Sequence, residues 1–100
     1  MAEGAQRVRA IIDAATRPVV PPHIKLRHDA ARGRWIILAP ERLFDPDDVA
    51  VEVLKLCDGE RTVADIAGHL AKEYNAPIVE IQTDVIEMLQ DLADKGVVKA

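Results

Sequence analysis

The hydrophobic positions of this chain change period partway along, from two residues to nearly four, and the change orders its elements. Ile24, Leu26 and His28 alternate with Lys25 and Arg27, which predicts a half-buried strand. Asp29-Ala-Ala-Arg-Gly33 supplies turn residues. Arg34 to Ala39 follows as a β-branched and aromatic run, apolar at Trp35, Ile36, Ile37 and Leu38. Coverage on both faces is therefore expected, with Trp35 buried against the helices. Pro40 stops that run, and Arg42-Leu43-Phe44 is long enough for a short third strand. Three strands so close together predict a small antiparallel meander.

From Asp45 onward the period is helical. Asp45 suits an N-cap and Pro46 the first helical position, while Asp47 and Asp48 add negative charge at the positive helix end. Val49, Val53 and Leu56 are the expected buried stripe, with Ala50 and Cys57 on its flank and Asp58-Gly59 at its end. Thr62 with Asp65 has the form of a capping box, opening a helix that should bury Val63, Ile66, Ala67, Leu70 and Tyr74. Asn75 and Pro77 mark a short turn before the longest helical pattern, Pro77 to Lys95. At 100° per residue, Ile78, Ile81, Val85, Met88, Leu89 and Leu92 fall in one stripe, the expected core face. Val79, Ile86 and Ala93, with Gln82 among them, form an apolar shoulder beside it and away from the acids. That shoulder is wider than core packing needs. Gly96 ends the helix, and Val97-Val98 can cover the remaining core edge. The predicted class is α+β, a winged-helix-like domain over residues 23–100 with a three-stranded antiparallel meander followed by three helices, βββααα.

Residues 1–22 read differently. Val8, Ile11, Ile12 and Ala15 have amphipathic spacing, so a short helix over Ala5 to Thr16 is possible. Such a helix is marginal in water unless its apolar side is covered. Arg17-Pro-Val-Val-Pro-Pro22 then forbids helix and favours an extended linker. A flexible N-terminal arm or linker is the expectation for residues 1–22.

Composition narrows the function. One Trp, one Tyr and one Phe leave the core to aliphatic residues, and a formal charge of −4 disfavours nucleic acid or a membrane surface as partner. The third helix, which in a DNA-reading winged helix would approach phosphates, carries Glu80, Asp84, Glu87, Asp91 and Asp94 against Lys95 alone. Neutralising phosphate supplies most non-specific DNA affinity, so these acids oppose the DNA-binding alternative. Neither a secretory signal nor a membrane-length apolar run is present, which makes a cytoplasmic location the default. Glycine-rich phosphate loops are absent, His23, His28 and His69 are too scattered for a metal motif, and Cys57 lacks a neighbouring histidine. No enzyme activity, metal site or cofactor is expected. What remains is binding. A short exposed third strand, Arg42-Leu43-Phe44, could accept an extended peptide as an added strand, with Val79, Gln82 and Ile86 walling a groove beside it. The same edge could pair with a second copy of the chain.

Several stretches taken in order resemble the PqqD family of pyrroloquinoline quinone (PQQ) biosynthesis. They are Trp35-Ile-Ile-Leu-Ala-Pro-Glu-Arg42, the Leu56-Cys-Asp-Gly59 turn with Arg61-Thr-Val63, Ile66, Leu70 and Tyr74, and the closing Asp84-Val85, Leu89, Leu92 and Gly96-Val97. The likeness spans roughly Pro22 to Lys99. It implies a peptide chaperone, a recognition element that binds the ribosomally made precursor PqqA and presents it to the radical S-adenosylmethionine (SAM) enzyme PqqE. Related domains hold a leader peptide as a strand added to the third strand beside the third helix. Carried onto this chain, that site is Arg42, Leu43 and Phe44 with Val79, Gln82 and Ile86. The arm does not match the usual family start. In some members the domain follows another pathway enzyme, a junction the proline-rich stretch would suit.

Overall fold

Gly33, Gly59 and Gly96, the three glycines expected at chain reversals, all take positive φ (69°, 81° and 81°). The computed structural model describes residues 10–100. Between these reversals run β1 (Lys25–Asp29), β2 (Arg34–Ala39) and β3 (Arg42–Phe44), then α1 (Asp48–Lys55), α2 (Val63–Tyr74) and α3 (Ile78–Asp94). The order βββααα is the one the sequence predicts.

The sheet is antiparallel in the order β1-β2-β3, and a row of Leu26, Ile37 and Phe44 crosses it. Ile37 is buried in the centre of that row, and Leu26 and Phe44 pack against the core beside it. The pleat puts Trp35 and Ala39 on this inner face, and Ile36 and Leu38 on the other. Those four residues are only half-buried, so the apolar run is not enclosed on both sides as expected. Trp35 in particular is not part of the core. It lies one pair from the β1–β2 loop, where its ring meets the edge of His28 at 5.3 Å between centroids and the Lys55 ammonium at 4.7 Å. Lys55 is the last residue of α1. Pro40 ends β2 as expected: with Glu41 at φ 62° it forms a two-residue turn that leaves Ala39 opposite Arg42. Proline followed by a residue at positive φ fits a type II turn.

Helix α1 begins two residues later than expected. Its N-cap is Asp47, whose carboxylate accepts the Ala50 N–H at 2.8 Å. The buried residues are Ala50, Val51, Val53 and Leu54, with Cys57 beyond the helix end, so Val49 is left 44% exposed. Cys57 donates its thiol to the Val53 carbonyl at 3.2 Å, and burial, helped by nearby Asp58, pushes its pKa up to about 12. Both halves of the expected capping box exist at α2, Thr62 Oγ1 accepting the Asp65 N–H and Asp65 accepting the Thr62 N–H. Those bonds hold the Asp65 carboxyl below the usual range. Main-chain N–H groups of Arg61 and Glu60 do the same for Asp58 in the preceding turn. Tyr74, expected in the core, is exposed at the last position of α2. On α3 the core takes Val85, Leu89 and Leu92, while Ile81 and Met88 are half-buried and Ile78 is exposed. Gly96 lets the chain double back, with the Val97 N–H donating to Leu92 O at 2.8 Å and the Gly96 N–H to Ala93 O at 3.0 Å. This is the paired C-terminal bond pattern that a left-handed glycine permits, and it drives Val97 and Val98 into the core.

The N-terminal segment departs most from expectation. Of the possible helix over Ala5 to Thr16, residues 5–9 lie outside the described residues, and residues 10–16 are not helical. They lie against the domain instead. Ile12 joins the core at 4% exposure. Gln90 of α3 accepts the Ile12 N–H at 2.9 Å and donates to the Ala10 carbonyl at 2.8 Å. The carbonyls of Ala14 and Thr16 accept the Ala64 and Val63 N–H groups, two of the otherwise unpaired donors at the start of α2. Arg17 reaches the Glu60 carbonyl. Further along, Gly59 donates to Pro18 O, and Val19 exchanges two main-chain bonds with Lys99. A side chain at Gly59 would have to share that close approach with Val19, whose Cβ is 3.5 Å from the position of an added Cβ. Residues 10–19, assigned by sequence to an arm or linker, thus tie the turn after α1, the start of α2, α3 and the C-terminal residues together.

Candidate functional site

β3 is an edge strand three residues long. Across the two-residue turn, Ala39 and Arg42 close the hairpin, and in an antiparallel ladder hydrogen-bonded and non-hydrogen-bonded pairs alternate. Arg42 and Phe44 therefore turn their main-chain groups toward β2. Leu43, opposite Leu38, turns its N–H and C=O to the open edge. Its side chain, 54% exposed, lies on the outer face of the sheet.

The inner face beside this edge is a groove. Phe44 and the following Asp45-Pro46-Asp47 form one wall, Met88, Asp91, Leu92 and Lys95 of α3 form the other, and Ile37 and Ala50 lie between them. The Arg42 guanidinium stacks over the Phe44 ring at 4.7 Å. Lys95 pairs with Asp91 at 2.9 Å and Arg34 with Asp45 at 3.3 Å, while Asp47 is engaged as the α1 cap. Met88 also borders a second, mostly apolar cavity between the helices, lined by Val49, Tyr74 and Ile81 with exposed Asp84 beside them. The groove offers main-chain hydrogen bonds along one side, an apolar surface within, and carboxylates around it. Such a surface can hold an extended peptide.

The structure brings Arg42, Leu43 and Phe44 together on β3 but does not bring Val79, Gln82 and Ile86 to the groove beside it. Ile86 and Met88 are two positions apart, roughly 200° around the helix, so Ile86 faces away from Phe44. Val79 is 74% exposed at the start of α3, and Gln82 is half-buried. Residues 10–12 are held by Gln90, which lies one turn beyond Ile86 on the same side of α3. The sequence pattern places Met88 and Leu92 in the core stripe and Asp91 on the acidic face, and it assigns none of these or Lys95 to the peptide groove. The only signal for them was their position on the acid-bearing side of the stripe. As for the histidines, His23 is exposed, His28 meets Trp35 edge to face, and His69 sits 3.6 Å from Glu73 at the surface.

A family model described as "Coenzyme PQQ synthesis protein D (PqqD)" matches residues 34–98. The chain belongs to the PqqD family. A relative from Bradyrhizobium diazoefficiens, named "PqqA binding protein", is 59% identical over 85 residues, covering 85% of this chain and 82% of that protein. The solution structure of the PqqD truncation of Methylobacterium extorquens PqqCD, described as a functional, stand-alone recognition element for ribosomally synthesized and post-translationally modified peptides, superimposes with a TM-score of 0.78. It shares 43% sequence identity and is matched over 89% of this chain and 95% of that one. The crystal structure of PqqD from Xanthomonas campestris, 39% identical, gives a TM-score of 0.57 over 89% of this chain and 99% of the other. The PqqD match begins at β2 and runs through α3, so it contains both walls of the groove.

Proposed function

We propose that this PqqD-family protein binds the PqqA precursor peptide as a fourth strand beside β3 and, with the peptide still bound, presents it to the radical SAM enzyme PqqE. The protein contributes recognition and positioning, with no chemistry of its own, and works in the cytoplasm. The observation that carries this reading is the open edge of Leu43 adjoining the apolar groove between Phe44 and Met88–Leu92. The name of a relative supports PqqA as the peptide, and the recognition-element description of the Methylobacterium domain supports binding rather than chemistry as the task.

Strand addition gains affinity from main-chain bonds and selectivity from alternate side chains. Here the peptide residue opposite Leu43 would exchange both main-chain bonds with it, and its neighbours would turn apolar side chains toward Phe44, Met88 and Leu92. Exposed carboxylates at Asp84 and Asp91 disfavour a phosphate backbone in the same place. Leu43→Pro removes the outward donor on an edge where proline costs the sheet no internal bond. Met88→Asp places a charge where an apolar side chain should rest. With folding checked by circular dichroism, each change should weaken PqqA binding at least tenfold by isothermal titration calorimetry. Parental affinity in both variants would reject the groove. Failure of the PqqA-loaded protein to bind PqqE, or release of PqqA when PqqE binds, would reject presentation.

A further inference from the structure

The cavity between the helices extends the proposed groove. Val49 from α1, Tyr74 from α2 and Ile81 from α3 line it, and Met88 is shared with the β3 groove, so the two form a continuous strip along one side of α3. Two of these side chains, one in the first turn of α1 and one at the end of α2, leave much of their apolar surface open: Val49 is 44% and Tyr74 50% accessible. Contiguous exposed apolar side chains around a concavity mark an interaction site more often than isolated ones do. Asp84 stands beside the cavity, and no ion pair joins it to another described residue.

Building on the strand-addition reading, we propose that this cavity is a second anchor site for the same peptide beyond β3, taking one large aliphatic or aromatic side chain with a lysine or arginine beside it. The occupant follows from continuity and charge. β3 can pair only a few peptide residues, so affinity and selectivity require contacts elsewhere. A peptide passing Phe44 along α3 meets Met88 and then the opening walled by Val49 and Ile81. The apolar lining selects the side chain that enters, and the Asp84 carboxylate selects a cation next to it. A neutral or acidic neighbour would leave Asp84 without a partner on binding.

The test uses the full chain, labelled at Ile, Val and Met methyl groups and at main-chain nitrogen, titrated with synthetic PqqA. Val49→Asn and Asp84→Lys are the variants. Val49 lies in the first turn of α1, half-exposed, where asparagine is tolerated, and Asp84 is at the surface. The proposal expects shifts of the Val49 and Ile81 methyls together with the Leu43 amide, at least tenfold weaker binding by Val49→Asn, and several-fold weaker binding with a reduced salt dependence for Asp84→Lys. Substituting the cation in the peptide with glutamine should cost the parent chain affinity and restore part of the affinity that Asp84→Lys loses, by removing the repulsion between two cations. Shifts at Leu43 and Phe44 with silent Val49 and Ile81 methyls, and parental affinity in both variants, would overturn the second anchor while leaving strand addition standing. Shifts at the cavity but none along β3 would instead reject strand addition and keep the anchor. Saturable binding of the peptide with neither region perturbed would reject both.

Discussion

Replacing Ile12 with alanine should destabilise the whole domain, although Ile12 lies in a proline-flanked segment before the first strand. The side chain is 4% exposed and belongs to the same core cluster as Ile37, Leu70 and Leu89. Removing a buried isoleucine to alanine costs about 2–5 kcal/mol, depending on how far the site collapses. The lower part of that range applies here, about 2–3 kcal/mol, because residues 10–16 have a second way to respond. Four hydrogen bonds hold them, two at Gln90 and two at the start of α2. At roughly 0.5–1.5 kcal/mol net each, those bonds do not outweigh the ordering cost of about 1–2 kcal/mol per residue. The segment stays docked only with Ile12 buried, so the substitution should free it and leave the Val63 and Ala64 N–H groups to water. Urea denaturation followed by Trp35 fluorescence should show a midpoint lower by about 1–2 M at a slope near 1.5 kcal/mol/M. Hydrogen exchange should show faster exchange of the Val63 and Ala64 amides below the transition. An unchanged midpoint with unchanged protection at those two amides would refute the docked segment and restore a free arm.

Thr62→Ala removes half of the capping box at α2 and should cost about 1 kcal/mol in the same urea experiment, with the Asp65 carboxyl titrating closer to its ordinary value by NMR. Cys57 is held protonated in the folded chain, so between about pH 9 and about 12 the folded state keeps a proton that the unfolded chain releases. Stability is therefore complete below pH 9 and falls as pH rises, by at most about 1.4 kcal/mol per pH unit from this group; Cys57→Ala should remove that part of the slope, and native Cys57 should resist iodoacetamide at pH 8. Val79→Asp alters an exposed residue on the far side of α3 from the groove, so PqqA affinity should stay within twofold of parental, and a tenfold loss would move the site to that shoulder.

Local signals carried most of the fold. Period-two alternation at Ile24 and Leu26, the reversal glycines and the Thr62–Asp65 cap act within a few residues of themselves, and each appears where the sequence puts it. Errors came where the partner was distant. Tyr74 and Ile78 continue helical stripes by spacing, yet lie at the end of α2 and the start of α3, beyond the sheet's reach, and stay exposed. The start of α1 moved from Asp45 to Asp47 because three aspartates compete for one cap, and local chemistry hardly separates them. The site divided in the same way. Arg42, Leu43 and Phe44 were legible as a short strand before a helix. The α3 wall was not, because both flanks of the Val85–Leu89–Leu92 stripe are apolar. Which flank stays open depends on where residues 10–12 dock, and the Gln90 bonds that fix this join positions 78 and 80 residues apart in sequence.

The central claim is that PqqA lies as a strand along β3 with its side chains against α3. Filtered nuclear Overhauser spectra of the labelled protein with unlabelled PqqA test it most directly. Contacts should run between the peptide main chain and the Leu43 amide, in an alternating interstrand pattern, and between peptide side chains and Phe44, Met88 and Leu92. Contacts confined to the opposite sheet edge at Lys25–Asp29, or to Val79 and Gln82, would contradict it.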